Sequence, residues 1–258
     1  MALALLAGAV GASAQSADSK SSQSIAALKA KAEIGNAEAE FNLGFDYDAG
    51  QGVPQDYSQA AIWYRKAAEQ GLIPAQYNLG VLYHDGHGVP QDDAKAVTWV
   101  RKAAEQGLAD AQFSLGASYH NGDVVRRDDA QAASWFRKAA EQGHPEAQDS
   151  LGVSYQYGQG VARDFSQAAY WYRKAAEQGD SHAQMALGVL YARGTGLPQD
   201  YAEAYFWFDV AAAGKLNAAD VEGDVENRDH AASMLTNTVL LQTQARARKW
   251  FEDHPAKH

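Results

Sequence analysis

A beat of 36 residues governs this chain. Trp63 recurs as Trp99, Trp135, Trp171 and Trp207, and the pair Leu43-Gly44 returns as Leu79-Gly80, Leu115-Gly116, Leu151-Gly152 and Leu187-Gly188. Two motifs sharing one period over five copies exclude an ordinary globule, because a period of 20–50 residues signals units that bury their apolar faces only against their neighbours. Within one unit, Ala39, Leu43 and Tyr47 fall at helical spacing, and Gly44 leaves room for a partner helix to come close. The connector Gly50-Gln51-Gly52-Val53-Pro54-Gln55 breaks that helix. Asp56 is placed to cap the next one, as are Asp92, Asp128, Asp164 and Asp200. The second helix carries Ala60, Trp63 or Tyr64, and Ala67 on its apolar stripe, and ends where Gly71 supplies a left-handed residue, as do Gly107, Gly143 and Gly179. Each unit is thus an antiparallel helix pair, and the fold is an all-α solenoid of five 36-residue repeats with capping helices at its ends.

The flanks read differently. Residues 1–14 are uncharged, apolar or small and end Ala12-Ser13-Ala14; they read as a signal peptide without a basic n-region, with cleavage expected before Gln15. Residues 15–24 read as a flexible Ser-rich spacer. Residues 25–36 echo a second helix without its tryptophan and are expected to cap the N-terminal face, with the full repeats over 37–216. Residues 217–258 are expected to form two capping helices, the last opened by Thr236 and holding Trp250 inward. Two departures from the pattern stand out. The third connector, Gly122-Asp123-Val124-Val125-Arg126-Arg127, lacks the second glycine and the proline, and the fifth unit ends without Glu-Gln-Gly.

The formal net charge of −10 argues against nucleic acid and anionic membrane surfaces as partners. The absence of cysteine excludes disulfides, thiolate chemistry and cysteine-bound zinc. After processing, no integral membrane segment remains in this reading.

The unit A-x-x-x-L-G-x-x-Y-x-x-G-x-G-V-P-x-D followed by A-x-x-W-Y-x-K-A-A-x-Q-G resembles the Sel-one-like repeat (SLR), a relative of the tetratricopeptide repeat with a longer connector. The resemblance covers about 37–216. It implies a right-handed superhelix that serves as an adaptor for other macromolecules, with bacterial members exported and linked to envelope assembly, exopolysaccharide regulation and host interaction. It also implies that the chain is not an enzyme. The branch reported to bind or hydrolyse β-lactams is rich in cysteine pairs, which these repeats lack.

Catalytic signatures are missing: no S-x-x-K, G-x-S-x-G, H-E-x-x-H or G-x-x-x-x-G-K occurs. His84 and His120 occupy one position in adjacent units, near Asp85, His87, Asn121 and Asp123. Imidazole beside carboxylate suits zinc or nickel, against the plainer reading of solvated helix-end residues. Neither a metal nor another cofactor is expected.

By analogy with tetratricopeptide arrays, the first helices line a concave face. Three rows there vary from unit to unit: Phe41, Tyr77, Phe113, Asp149, Met185; Asp48, His84, His120, Gln156, Ala192; and Ala49, Asp85, Asn121, Tyr157, Arg193. Of these, Phe41, Tyr77, Phe113, His84, His120, Asp85, Asn121, Gln156, Tyr157 and Arg193 are the candidate partner-binding residues, for a protein or peptide. An alternative stays open in which Tyr77 and Phe113 only fill gaps between repeats. The tryptophans are read as structural, so truncating a buried one such as Trp135 to Ala is expected to cost about 3–5 kcal/mol.

The resulting expectation is a monomeric, non-enzymatic interaction scaffold of the bacterial envelope, periplasmic or secreted. The alternatives are a cell-wall- or polysaccharide-active enzyme, which would need its dispersed acids (Asp46, Asp85, Asp149, Asp123) to converge, or a structural spacer between envelope layers.

Overall fold

The capping aspartates, the left-handed glycines and the apolar stripes lead to helices throughout. The computed structural model describes residues 22–213 and 218–254, and among these every regular element is α-helical. The signal-peptide and cleavage-site readings lie outside the described residues, as do most of the spacer and the end of the fifth unit. The chain divides after Arg127 into two units.

The first unit holds α1 (Ser22–Glu33), α2 (Ala37–Ala49), α3 (Tyr57–Glu69), α4 (Ile73–Asp85), α5 (Asp93–Glu105) and α6 (Ala109–Asn121). The helix α1 starts three residues earlier than the repeat echo suggested, inside the segment read as spacer. Its Ala32 packs with Ala39, Leu43 and Trp63, so α1 covers the exposed side of the first pair. The second unit holds α7 (Asp129–Glu141), α8 (Pro145–Tyr157), α9 (Phe165–Glu177), α10 (Ser181–Arg193), α11 (Tyr201–Ala213), α12 (Ala218–Ser233) and α13 (Asn237–Asp253). Among the described residues, none of these helices is long and apolar enough to cross a membrane.

Within each pair the chain doubles back. Gln70 at the end of α3 donates to Glu40 at the start of α2 (2.6 Å), while Asp56 N–H before α3 donates to the Tyr47 carbonyl near the end of α2 (2.9 Å). Asp56, Asp128, Asp164 and Asp200 each accept two backbone N–H groups of the helix they open, and Asp92 accepts one. Such caps stabilise a helix by about 1 kcal/mol each.

The Leu-Gly pair sets the distance between helices. A Cβ on Gly44 would lie 2.7 Å from the Tyr64 ring, and one on Gly152 or Gly188 would lie 2.6 or 2.7 Å from Tyr172 or Phe208. The residue after the tryptophan therefore lies flat on the glycine of its own first helix. The tryptophan itself reaches both its own first helix and the helix before it: Trp63 packs with Ala39 and Leu43 of α2 and with Ala32 of α1. Burial along this series is uneven. Trp63, Trp171 and Trp207 are buried, whereas Trp99 and Trp135 are half-buried. The loss expected at Trp135 therefore belongs to Trp207, the most buried of the five.

Two polar ladders repeat with the same period. The amides of Gln76, Gln112, Gln148 and Gln184 donate to the carbonyls of Ala68, Ala104, Ala140 and Ala176 in the last turn of the preceding helix. The guanidinium groups of Arg65, Arg101, Arg137 and Arg173 donate to the hydroxyls of Tyr83, Tyr119, Tyr155 and Tyr191. Both tie one pair to the next, and the buried glutamines satisfy carbonyls that a helix end leaves without partners.

At the C-terminal face the pattern changes because α11 has neighbours all round. Tyr205, Phe206, Trp207 and Phe208 are all buried, the first and last with Ala231 of α12, and Phe206 and Trp207 against Trp250 of α13. Thr236 caps α13 as expected, and Arg246 pairs with Glu203 over the Phe206 ring.

Candidate functional site

The three variable rows have different surroundings. In the first, Phe41 is half-buried with its ring 5.7 Å from that of Tyr64, and Met185 packs on Tyr205 and Phe208. Tyr77 is only 7% exposed, and its hydroxyl lies 3.3 Å from Ser114 Oγ on the next first helix. Burial pushes its phenol above the usual range. Phe113 is half-buried. Tyr77 thus meets the next repeat, whereas Phe41 and Met185 pack against the second helix of their own repeat.

The second row turns toward its own second helix. Tyr64 donates to Asp48 (3.1 Å), Tyr172 donates to Gln156 (2.9 Å), and His84 Nδ1 lies 3.0 Å from Asp93. His120 is half-buried. The third row faces solvent: Asp85, Tyr157 and Arg193 are exposed and Asn121 is half-exposed, with Tyr157 64% exposed. These residues end α4, α6, α8 and α10, just before the left-handed glycines Gly86, Gly122, Gly158 and Gly194. Every unit therefore presents a different side chain at an equivalent, solvent-open place.

The fourth position of the first row breaks the aromatic run. Asp149 on α8 meets the start of α10, where His182 Nδ1 lies 2.8 Å from Asp149 Oδ1 and Asp180 caps the helix through the Ala183 N–H (2.8 Å). Among the described residues, Asp149, Asp180 and His182 form the group of three donors whose ligand atoms lie within 4.8 Å of one another; no such group forms around His84 and His120. Sequence reasoning named Asp149 but missed Asp180 and His182. A signal was available, since Asp149 stands where Tyr77 and Phe113 stand, and Asp180 where Leu72, Leu108 and His144 stand, in earlier units.

The electrostatics there follow from burial. The Asp180 carboxyl is pushed up to about 6, first by burial and then by the charge of Asp149. His182 is raised, first by its hydrogen bond with Asp149. Both groups bind protons more readily in the folded chain than in the unfolded one, where Asp titrates near ~3.9 and His near ~6.5. Their stabilisation is therefore present at low pH and is lost as pH rises, for Asp180 between about 4 and 6. Thermal melts from pH 4 to 8 are expected to show wild-type stability falling relative to Asp180→Asn over that interval; parallel pH profiles would contradict it.

Set beside known proteins, residues 37–72, 73–108, 109–144, 145–180 and 181–215 each match the Sel1 repeat. The crystal structure of c5321, a protective antigen present in uropathogenic Escherichia coli strains displaying an SLR fold, is 38% identical with a TM-score of 0.72, over 88% of this chain and 55% of that one. The chain thus spans about half the length of that relative. A Sel1 repeat protein from Oxalobacter formigenes is 34% identical with a TM-score of 0.73, over 82% of this chain and 92% of its own. No functionally curated protein matches.

Proposed function

The chain belongs to the Sel1 repeat family, and from that premise we propose that it is a non-enzymatic scaffold of the bacterial envelope that holds a protein or peptide partner along the ends of its first helices. Sel1-repeat proteins in general mediate protein–protein interaction. One observation carries the reading furthest. The glutamine and arginine ladders that join the repeats recur from pair to pair, while Asp85, Asn121, Tyr157 and Arg193 differ at an equivalent solvent-facing position. Within the second unit, the exposed Tyr157 and Arg193, at equivalent positions of successive repeats, are the groups most suited to anchor a partner. The apolar start of the sequence supports export, and a monomer fits the cover that α12 and α13 give to α11.

Affinity capture from a periplasmic extract tests this proposal, with Tyr157→Ala/Arg193→Ala as the control. Both side chains are exposed, so the double variant should fold as the parent does. The expected result is a specific partner that is lost, or held at least about tenfold more weakly, in the variant. Equal capture by the variant would move the contact to the second helices or the C-terminal pair, and hydrolysis of wall fragments by the purified chain would favour an enzyme.

A further inference from the structure

We propose that Asp149, Asp180 and His182 form a binding site for one divalent transition-metal ion of the zinc class, built at the junction of α8 and α10. Two carboxylates and one imidazole converge there from two helices of adjacent repeats, with ligand atoms within 4.8 Å of one another. Donors around a tetrahedral ion at about 2.0–2.2 Å stand roughly 3.3–3.6 Å apart, so the set must draw together to take an ion. Asp180 Oδ1 already accepts the Ala183 N–H, which fixes this carboxylate and offsets the positive end of α10 that would otherwise repel a cation.

The charge balance also favours a cation. The side-chain charges acting on Asp180 come from Asp149, His182 and Glu146, so carboxylates outnumber the one imidazole. The Asp149 side chain is 17% exposed and that of His182 is 57% exposed, which leaves one side open for water as a fourth ligand. A mixed oxygen and imidazole set suits zinc, manganese or cobalt rather than calcium or magnesium, which favour oxygen donors throughout. The ion would replace the proton shared by His182 Nδ1 and Asp149 Oδ1, so binding releases protons and strengthens as pH rises.

The test is calorimetric titration of the full chain with zinc chloride after treatment with a chelator. Binding of one ion per chain is expected, with proton release, weakened about tenfold or more in both Asp149→Asn and His182→Ala. His84→Ala should bind as the parent does, which separates this site from other surface histidines. Circular dichroism of the metal-free variants checks that they fold. Should they not fold, cobalt added to the parent chain supplies a second readout: a visible absorption band of a four-coordinate ion, abolished by zinc, is expected. Absence of saturable binding, unchanged isotherms in the two variants, equal weakening in His84→Ala, or a cobalt spectrum like that of the aqueous ion would each overturn the proposal.

Discussion

Trp207→Ala is expected to destabilise the chain by about 3–5 kcal/mol, the cost of removing a buried tryptophan and leaving the cavity. The side chain is 4% exposed and belongs to the cluster that contains Tyr172, Leu187, Phe206 and Val210. Its ring lies 5.5 Å from that of Trp250, so the truncation also loosens α13, the helix that closes the stack. For a chain of this size the melting midpoint should fall by about 6–20 °C. Trp207→Phe should cost much less, since most of the apolar area stays and Nε1, which has no acceptor among the described residues, is removed. The same truncation at half-buried Trp135 should cost less than at Trp207. Equal midpoints for Trp207→Ala and the parent, by calorimetry, would contradict this picture of the core.

The second large effect is expected at Gly160. This glycine has φ +70°, and a Cβ there would lie 1.9 Å from the Asp129 carbonyl oxygen and 2.6 Å from the Ala130 nitrogen. The connector after α8 is therefore seated directly on the backbone at the start of α7. Gly160→Ala is expected to cost about 2–5 kcal/mol, combining the penalty of a left-handed L-residue with that of overpacking against backbone that cannot rotate away. Gly143→Ala is the control. Its φ is +95° but nothing lies within 4 Å of the added carbon, so only the conformational part, about 1–2 kcal/mol, should appear. Chemical denaturation of both variants measures the difference, and equal losses would mean that the contact with α7 contributes nothing.

That seating explains why the third connector is exceptional. Gly88 and Gly196 sit on Tyr57 and Phe165 as Gly160 sits on Asp129, and Val124 occupies the equivalent place. Among the described residues only glycines take positive φ, so Val124 follows a different path. The division between the two units falls just after this loop, at Arg127.

Much of this architecture could be read from the chain because each repeat states its contacts five times over. Asp56 and its equivalents announce helix starts, Gly71 and its equivalents announce ends, and Leu43-Gly44 announces close packing. The glutamine ladder was equally periodic yet passed unread, since a glutamine in a helix looks like surface until its amide is found on the Ala68 carbonyl. Which side chains reach solvent was harder. Spacing puts Tyr77 and Tyr157 on related faces of their helices, and only the packing of the next repeat distinguishes the buried one from the exposed one. The meeting of Asp149 with Asp180 and His182 was hidden for the same reason, because it joins residues about 30 positions apart through the stacking of two repeats.

The central claim is that a partner reads the unit-specific residues at the ends of the first helices, while the periodic residues only hold the frame. Hydrogen exchange of the chain with and without its captured partner tests it most directly. The account predicts new protection around Asp85, Asn121, Tyr157 and Arg193. Protection confined to the outer faces of α3, α5, α7 and α9, with those four positions exchanging as in the free chain, would contradict it.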